Sequence, residues 1–570
     1  MLDIEESLNH KFPRFAGRPP LLRKPTLSLL RKLVHERAIN DFLEEHRGSR
    51  GVDFIERIFD HFQFSYSVTS RERQNIPAQG RVVIIANHPI GSLDGLALIH
   101  LVSEVRPDVK IVANDLLCAF EPLKDLLLPL DNMSGSAYRQ SYRAIIEALQ
   151  GEQAVIIFPA GEVSRAGPGG IRDGAWRSGF LHFARKTGAP LLPVYIQAKN
   201  SLLFYGASAV YKPLATALLA HEMFNKRSAE IRFRIGELIP HRSLEARQLA
   251  DKALIKRFKK HLYKLGAGRK PTFVTEKTIA HPESPLGLRR ELARAEQLGQ
   301  TRDGHGIYLC DWRQHPTIMR ELGRLREITF RKVGEGTGSR RDLDRYDHDY
   351  QHLVLWDSHN LAIAGAYRLG ATRDLMARRG LEGLYTAELF HLRPALKPYL
   401  EQGLELGRSF VNPDYWGKAS LDYLWQGLGA YLRHRPEIRY LIGPVTLSAD
   451  YPRALQDWLV TYHQRFYSAP QALASARHPH MIAPETRMAL NSQLALLDRE
   501  SGFARLNREF DRVGHKLPTL FKHYPALFEE GGYQLLAFSV DSDFGECLDG
   551  LFLADLTRMK AAKAKRYLGA

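Results

Sequence analysis

The stretch "VVIIANHPIGSLDGLAL", residues 82–98, decides how the first half of the chain is read. Val82 to Ala86 form an apolar run of strand length, Pro89 and Gly91 mark a turn, and an apolar helix starts near Ser92. A strand that enters a helix through a short turn belongs to a layered α/β fold and sets His88 at the sheet edge. Asp94 then has two readings. It caps the helix while His88 is an ordinary surface residue, or it braces the imidazole as the partner of a general base. Taken alone, the stretch leaves these about even.

Working outward, "QAVIIFPAG" and "APLLPVYIQ" read as further buried strands. The segments "AYRQSYRAIIEAL" and "WRSGFLHFARKTG" read as the helices between them. "EIRFRIGELI" alternates as a half-buried strand does. An α/β domain over residues 1–265 follows, then a polar connector over 266–304. The second half changes rhythm. "TIMRELGRLREITFRKVG" is helical, "HLVLWDSHNLAIAGAYRLG" is a hairpin, and "GLELGRSFV" and "RYLIGPVTL" are strands around the helix "KASLDYLWQGLGAYLRH". The expected fold class is therefore α/β with two domains, the second a mixed-sheet domain over 305–560, followed by a basic tail over 561–570.

The formal net charge is +17, which attracts polyanions in general. No zinc finger, RNP-like aromatic motif or long basic arm is present, so nucleic acid is not the expected partner. Cys118, Cys310 and Cys547 form no CxxC and are expected to be structural thiols in a reducing compartment. No apolar run reaches spanning length, and the start "MLDIEESLNHKFPRF" is unlike a signal peptide. A cytoplasmic chain is expected, held peripherally on the inner membrane face. For that contact the helix "KRFKKHLYK" is favoured, because Phe258 and Leu262 stand four apart beside lysines.

"IIFPAGEVSR", residues 156–165, supplies the second half of the first constellation. Backbone N–H groups of a Pro-x-Gly turn can hold an oxyanion, and Arg165 adds positive charge. Together the two motifs resemble the glycerolipid acyltransferase family, which carries Asn-His-x4-Asp and Phe-Pro-Glu-Gly-Thr-Arg-Ser. Asn87, His88, Asp94, Phe158, Pro159, Gly161, Ser164 and Pro193 match. The resemblance implies catalysis by His88 and Asp94, with Gly161, Glu162, Ser164 and Arg165 around the substrate. Two departures matter. Five residues separate His88 from Asp94, and Gly91, which tolerates positive φ, can absorb the extra one. Ala160 and Val163 stand where the family has its Glu and its phosphate-binding Arg, which argues against a phosphomonoester acceptor.

The second half sets Arg326, Asp344, Asp347, Arg368, Glu405 and Arg408 along a helix, a loop and two apolar strands. Such charges could be a salt-bridged surface, but charges inside apolar strands are costly unless paired. Their order resembles the acyl-homoserine-lactone synthases and, more closely, the ornithine lipid N-acyltransferases, both related to the GNAT fold. That resemblance implies Glu405 as general base, direct or through water, and Arg408 orienting the amine or the thioester side. Arg326, Asp344, Asp347 and Arg368 would organise the acceptor pocket, with the Gly417 turn near a pantetheine. The Q/R-x-x-G-x-G/A loop of ordinary GNATs is missing, so an acyl carrier protein thioester is the expected donor, with no separate cofactor. His348 and His352, and His478 and His480, are read as ordinary polar histidines, and no metal is expected. As a whole the chain resembles a bifunctional ornithine lipid synthase acting on an amino acid and then on the lyso-lipid's hydroxyl. The alternatives are a lysophospholipid acyltransferase with an accessory GNAT-like domain, a synthase using glycine, and a basic non-enzyme that binds membranes or nucleic acid.

Overall fold

The computed structural model describes residues 4–5, 20–113, 120–129, 135–167, 170–210, 218–219, 221–224, 226, 229–244 and 250–569. It forms two compact units, Met1–His281 and Pro282–Ala570. Cys118 lies outside the described residues, while Cys310 and Cys547 are buried free thiols.

The first unit is built on strands β1 (Ser65–Ser67), β2 (Val82–Ala86), β3 (Val109–Ala113), β4 (Leu127–Pro129), β5 (Ala154–Ile157), β8 (Leu191–Gln197) and β9 (Glu230–Ile235). A small hairpin, β6 (Arg165–Gly167) and β7 (Gly170–Arg172), lies outside the main sheet. The sheet order is β1-β9-β8-β2-β5-β3-β4, parallel except where β8 meets β9. Every residue of β2 and β5 is buried, because helices cover both faces of a parallel sheet. These include α1 (Ser92–Ser103), α2 (Gly135–Gln150), α3 (Gly179–Thr187) and α4 (Asp251–Gly266).

The favoured membrane helix is corrected by α4. Phe258 and Leu262 are fully buried and pack with Phe180 and Leu254 in the core beside the sheet. An apolar pair four apart with lysines around it looks the same whether it faces lipid or a sheet.

The second unit holds an eight-stranded sheet of β10 (Glu296–Gln300), β11 (Gly306–Asp311), β12 (Gln351–Asp357), β13 (Ala362–Ala371), β15 (Gly403–Val411), β16 (Tyr440–Leu447), β19 (Cys547–Asp555) and β18 (Tyr533–Asp541), in that spatial order. A two-stranded ribbon of β14 (Phe390–Leu392) and β17 (Ala474–Ala476) stands apart from it. All neighbours are antiparallel except β15 and β16. Helices α5 (Pro316–Lys332) and α6 (Ser420–Arg433) pack on this sheet.

The expected connector is shorter than 266–304. The Thr278 hydroxyl donates to Asn75 O at 2.7 Å in the first unit, while Leu288 and Leu292 are buried in a core of the second with Ile318 and Met319. Residues 296–300 form an edge strand on β11. Nor do residues 561–567 form a loose tail: they make a helix that packs on α6 and buries Tyr567.

Candidate active sites

In the first unit, the end of β2 is pinned before the turn begins. Asn87 donates to Ile196 O at 2.9 Å and accepts from Ile196 N at 2.7 Å, tying β2 to β8. Gly91 takes φ +98°, which opens the turn enough for the extra residue. Asp94 Oδ2 then accepts from three donors: Ile90 N at 2.8 Å, Gly91 N at 3.1 Å and His88 Nδ1 at 3.1 Å. Cap and brace are one carboxylate, so the two readings of the stretch both hold. Burial pushes the Asp94 carboxyl up, and the hydrogen bonds from His88 and the turn oppose that rise. With Nδ1 committed to Asp94, His88 carries its lone pair on Nε2, and its side chain stays 19% exposed. The Phe158 ring stacks on the imidazole at 4.2 Å, fixing its plane.

The other first-unit residues take different places from those expected. Ser164 is buried: its N donates to His88 O at 2.7 Å and its hydroxyl to Asp173 Oδ1 at 2.6 Å. It therefore positions the histidine turn and does not face substrate. Gly161 donates its own N–H to Phe158 O at 3.0 Å, which removes that group as an oxyanion donor. Glu162 is partly exposed beside Gly174, and the Arg165 guanidinium lies 5.2 Å from the Phe204 ring centre. Asp173 was not legible. It accepts from His88 N at 3.2 Å and Trp176 Nε1 at 2.9 Å, yet "GIRDGAW" carries no pattern that would single it out.

In the second unit, β15 and β16 pair through only three rows, Gly403 to Glu405 against Tyr440 to Ile442. Beyond them β15 stays with β13 and β16 stays with β19, so the middle of the sheet divides. Arg408 adopts φ +47° there, beside a register shift between Ala366 and Arg368. Gly407, Arg408, Ser409, Pro444 and Thr446 are partly exposed in mid-sheet, where full burial is the rule. A cleft opens at that point.

Under it lies an alternating charge network. Arg326 donates to Asp347 at 2.8 Å and to His352 Nδ1 at 2.9 Å. Arg368 donates to both oxygens of Asp344, at 2.6 and 2.7 Å, and to Asp347 at 3.4 Å. Arg408 pairs with Asp342 at 3.0 Å and with Asp344 at 3.5 Å. Burial works to raise the Asp347 carboxyl, but Arg326 and Arg368 outweigh it and hold it well below the carboxylate range. Burial and the Arg326 charge push His352 down to about 3, which suits an imidazole accepting at Nδ1. Tyr346, Tyr350 and Tyr385 surround the Arg368 guanidinium, their ring centres 5.7, 5.2 and 5.1 Å away. Arg326, Asp347 and Arg368 are fully buried and support the pocket from below.

Glu405 is 1% exposed. It accepts from the Tyr350 hydroxyl, from Thr386 N at 2.7 Å and from Tyr385 N at 3.3 Å. Burial raises its carboxyl. Both oxygens are engaged, so Glu405 holds the Tyr385–Thr386 turn and offers no edge for direct attack on an amine proton. Gly417, at φ +76° and exposed, lies just before α6. Among the described residues no group of three or more His, Cys, Asp and Glu could hold a metal ion. His480 Nε2 instead meets Asp457 at 2.7 Å.

Asp541 and Asp549 escaped the sequence reading. Asp541 accepts from the Tyr385 hydroxyl at 3.1 Å, and Asp549 accepts from the Thr446 hydroxyl at 2.6 Å at the cleft wall. Burial raises Asp549 to about 7. The sign of the linkage follows: the stability this group contributes is fully present below pH about 4 and is lost as pH rises through its folded value. Asp549→Asn should therefore flatten the decline in stability between about pH 4 and pH 7, read as the urea midpoint at each pH. A variant midpoint that falls as steeply as the wild type's would contradict this assignment.

A partly exposed imidazole braced by a buried carboxylate at the carboxyl end of parallel strands, and a divided sheet with a buried acid–arginine network, are both suited to acyl transfer. Comparison with known proteins agrees. Residues 7–267 match the family model described as "Acyltransferase", and residues 325–426 the model "Acetyltransferase (GNAT) domain". The glycine N(alpha)-acyltransferase of Phocaeicola vulgatus is 33% identical over 51% of this chain and 92% of its own length. The lyso-glycine lipid O-acyltransferase of Bacteroides thetaiotaomicron is 31% identical over 43% of this chain and 90% of its own. The L-ornithine N(alpha)-acyltransferase of Rhodobacter capsulatus is 34% identical over 31% and 71% respectively. The chain belongs to the acyltransferase family these relatives represent, with an O-acyltransferase-type unit followed by a GNAT-type N-acyltransferase unit.

Proposed function

We propose that the second unit joins a 3-hydroxyacyl group to the α-amine of an amino acid, and that the first unit then acylates the new 3-hydroxyl. The observation that carries this is the presence in one chain of a site suited to a hydroxyl, His88 braced by Asp94, and a GNAT-type cleft suited to an amine. In the cleft the amine attacks the thioester carbonyl, the C–S bond breaks, and the thiolate leaves and takes up a proton. Asp549 is the general base we favour, since it stands one hydrogen bond behind the partly exposed Thr446 and titrates near working pH. Glu405 acts as a positioning residue for the Tyr385–Thr386 turn. In the first unit His88 Nε2 takes the proton of the 3-hydroxyl as the oxygen attacks a second thioester, Asp94 steadies the imidazolium, and as the C–S bond breaks the leaving thiolate takes that proton from the ring.

The acceptor we favour is ornithine. A cavity of about 260 Å³ beside Tyr346 carries both signs, Asp349 and Glu382 with Arg345 and Arg379, and Asp349 pairs with Arg379 at 2.7 Å, so Glu382 is the acid that would meet a second ammonium group and the arginines would meet a carboxylate. Glycine is the second reading, favoured by four glycine-named relatives, each matched over 82% or more of its own length. Acyl carrier protein is the proposed donor, its acidic surface matched to a chain of charge +17, and an anionic membrane face is the proposed seat. The purified chain, given 3-hydroxyacyl carrier protein and an equimolar mixture of ornithine and glycine, should form the ornithine amide in excess. Glycine amide in excess would select the second reading, and no amide from either would refute N-acylation. In the same assay the rate should rise with pH through about 7. Asp549→Asn should lose that rise and about a hundredfold in rate.

A further inference from the structure

Beside the His88 turn runs the segment "KNSLLFY", residues 199–205. Its start is fastened to the catalytic turn: the Asn200 side chain donates to Pro89 O at 3.2 Å, and Asn200 N donates to the Tyr205 hydroxyl at 3.0 Å. Ser201 N donates to Glu222 at 2.8 Å. Phe204 and Tyr205 turn inward and pack with Val163, of the same turn as Ser164. Leu202 and Leu203 turn outward and are 89% and 64% exposed. Two adjacent leucines held in water beside the His88 turn join none of the unit's hydrophobic clusters among the described residues.

The charge around these leucines names what covers them. Lys199, Arg172 and Arg177 are exposed on the neighbouring segments, and Arg165 is partly exposed. Glu162 is the one partly exposed acid in residues 161–167 and 170–205, since Asp173 is buried. Apolar side chains on a segment whose neighbours expose cations match an anionic lipid surface, into which leucines insert while lysine and arginine meet the head groups. We propose that Leu202 and Leu203 form a wedge that enters the anionic face of a bilayer and sets the mouth of the His88 site against it. The link to substrate delivery rests on the reading of His88 as acting on a lipid hydroxyl.

Flotation of the full chain with phosphatidylcholine vesicles, with and without phosphatidylglycerol, tests this directly. Wild type should float with the phosphatidylglycerol vesicles and be released by salt. Leu202→Ser with Leu203→Ser should bind roughly tenfold or more weakly, and Lys199→Glu should weaken binding to the anionic vesicles alone. Acylation of a hydroxy-lipid in vesicles should fall in step with binding, while acylation of a short, water-soluble hydroxy-amide stays at the wild-type rate. If the double variant floats as wild type does, or if the substitutions instead break up a self-associated form, the wedge is refuted. Leucine-dependent flotation by a chain that acylates no hydroxyl would support the wedge and refute only the O-acylation reading.

Discussion

His88→Ala should lower transfer to a hydroxyl acceptor by about 100- to 10,000-fold, the range lost when a positioned general base is removed. Amide formation in the other unit should continue at its wild-type rate. The loss belongs to chemistry and not to folding. Asp94 keeps its two backbone donors from Ile90 and Gly91 after the imidazole is gone, and the His88 backbone keeps its bonds to Asp173 and Ser164. The expected cost in stability is therefore about 1 kcal/mol, one hydrogen bond to a partly exposed ring. The check is to measure ester and amide products from one preparation, with its thermal midpoint. An unchanged ester rate would remove His88 from the mechanism, and an equal fall in both products would point to unfolding.

The second large effect is on stability. Arg326→Ala should cost about 3–5 kcal/mol, because it strands a buried carboxylate. Asp347 would keep the longer contact from Arg368 at 3.4 Å, the Asp344 N–H at 2.8 Å and the approach of His352 Nε2 at 3.7 Å. His352 would lose its one charged donor. Replacing the pair together, Arg326→Met with Asp347→Leu, should recover part of the loss, since no charge is then left unpaired. Guanidinium unfolding followed by tryptophan emission reads this well, because five of the six tryptophans lie in the second unit. A single variant as stable as wild type would show that the network is solvated.

Much of the fold was legible because it is local. The all-buried runs at 82–86 and 154–157, the alternation at 230–235 and the Asp-Ser-His-Asn hairpin each carry their own period or turn chemistry. The His88–Asp94 pair was legible for the same reason, since one turn with Gly91 in it holds both partners. What escaped depends on residues brought together from far apart. Asp173 reaches His88 across 85 residues of chain, and Tyr350 reaches Glu405 across 55. No spacing rule announces either contact, and the second one converts Glu405 from an available base into a buried prop. The α4 helix failed differently: periodicity reports that one face is apolar, not what the face meets.

The most direct measurement is mass spectrometry of lipids from a bacterial host that makes no aminolipid, expressing either the chain or its His88→Ala variant. The expected result is a phosphorus-free, ninhydrin-positive lipid with one amide-linked and one ester-linked chain from wild type, and the amide-linked species alone from the variant. A host in which only phospholipid acyl composition changes, with no amide-linked amino acid at all, would contradict the account.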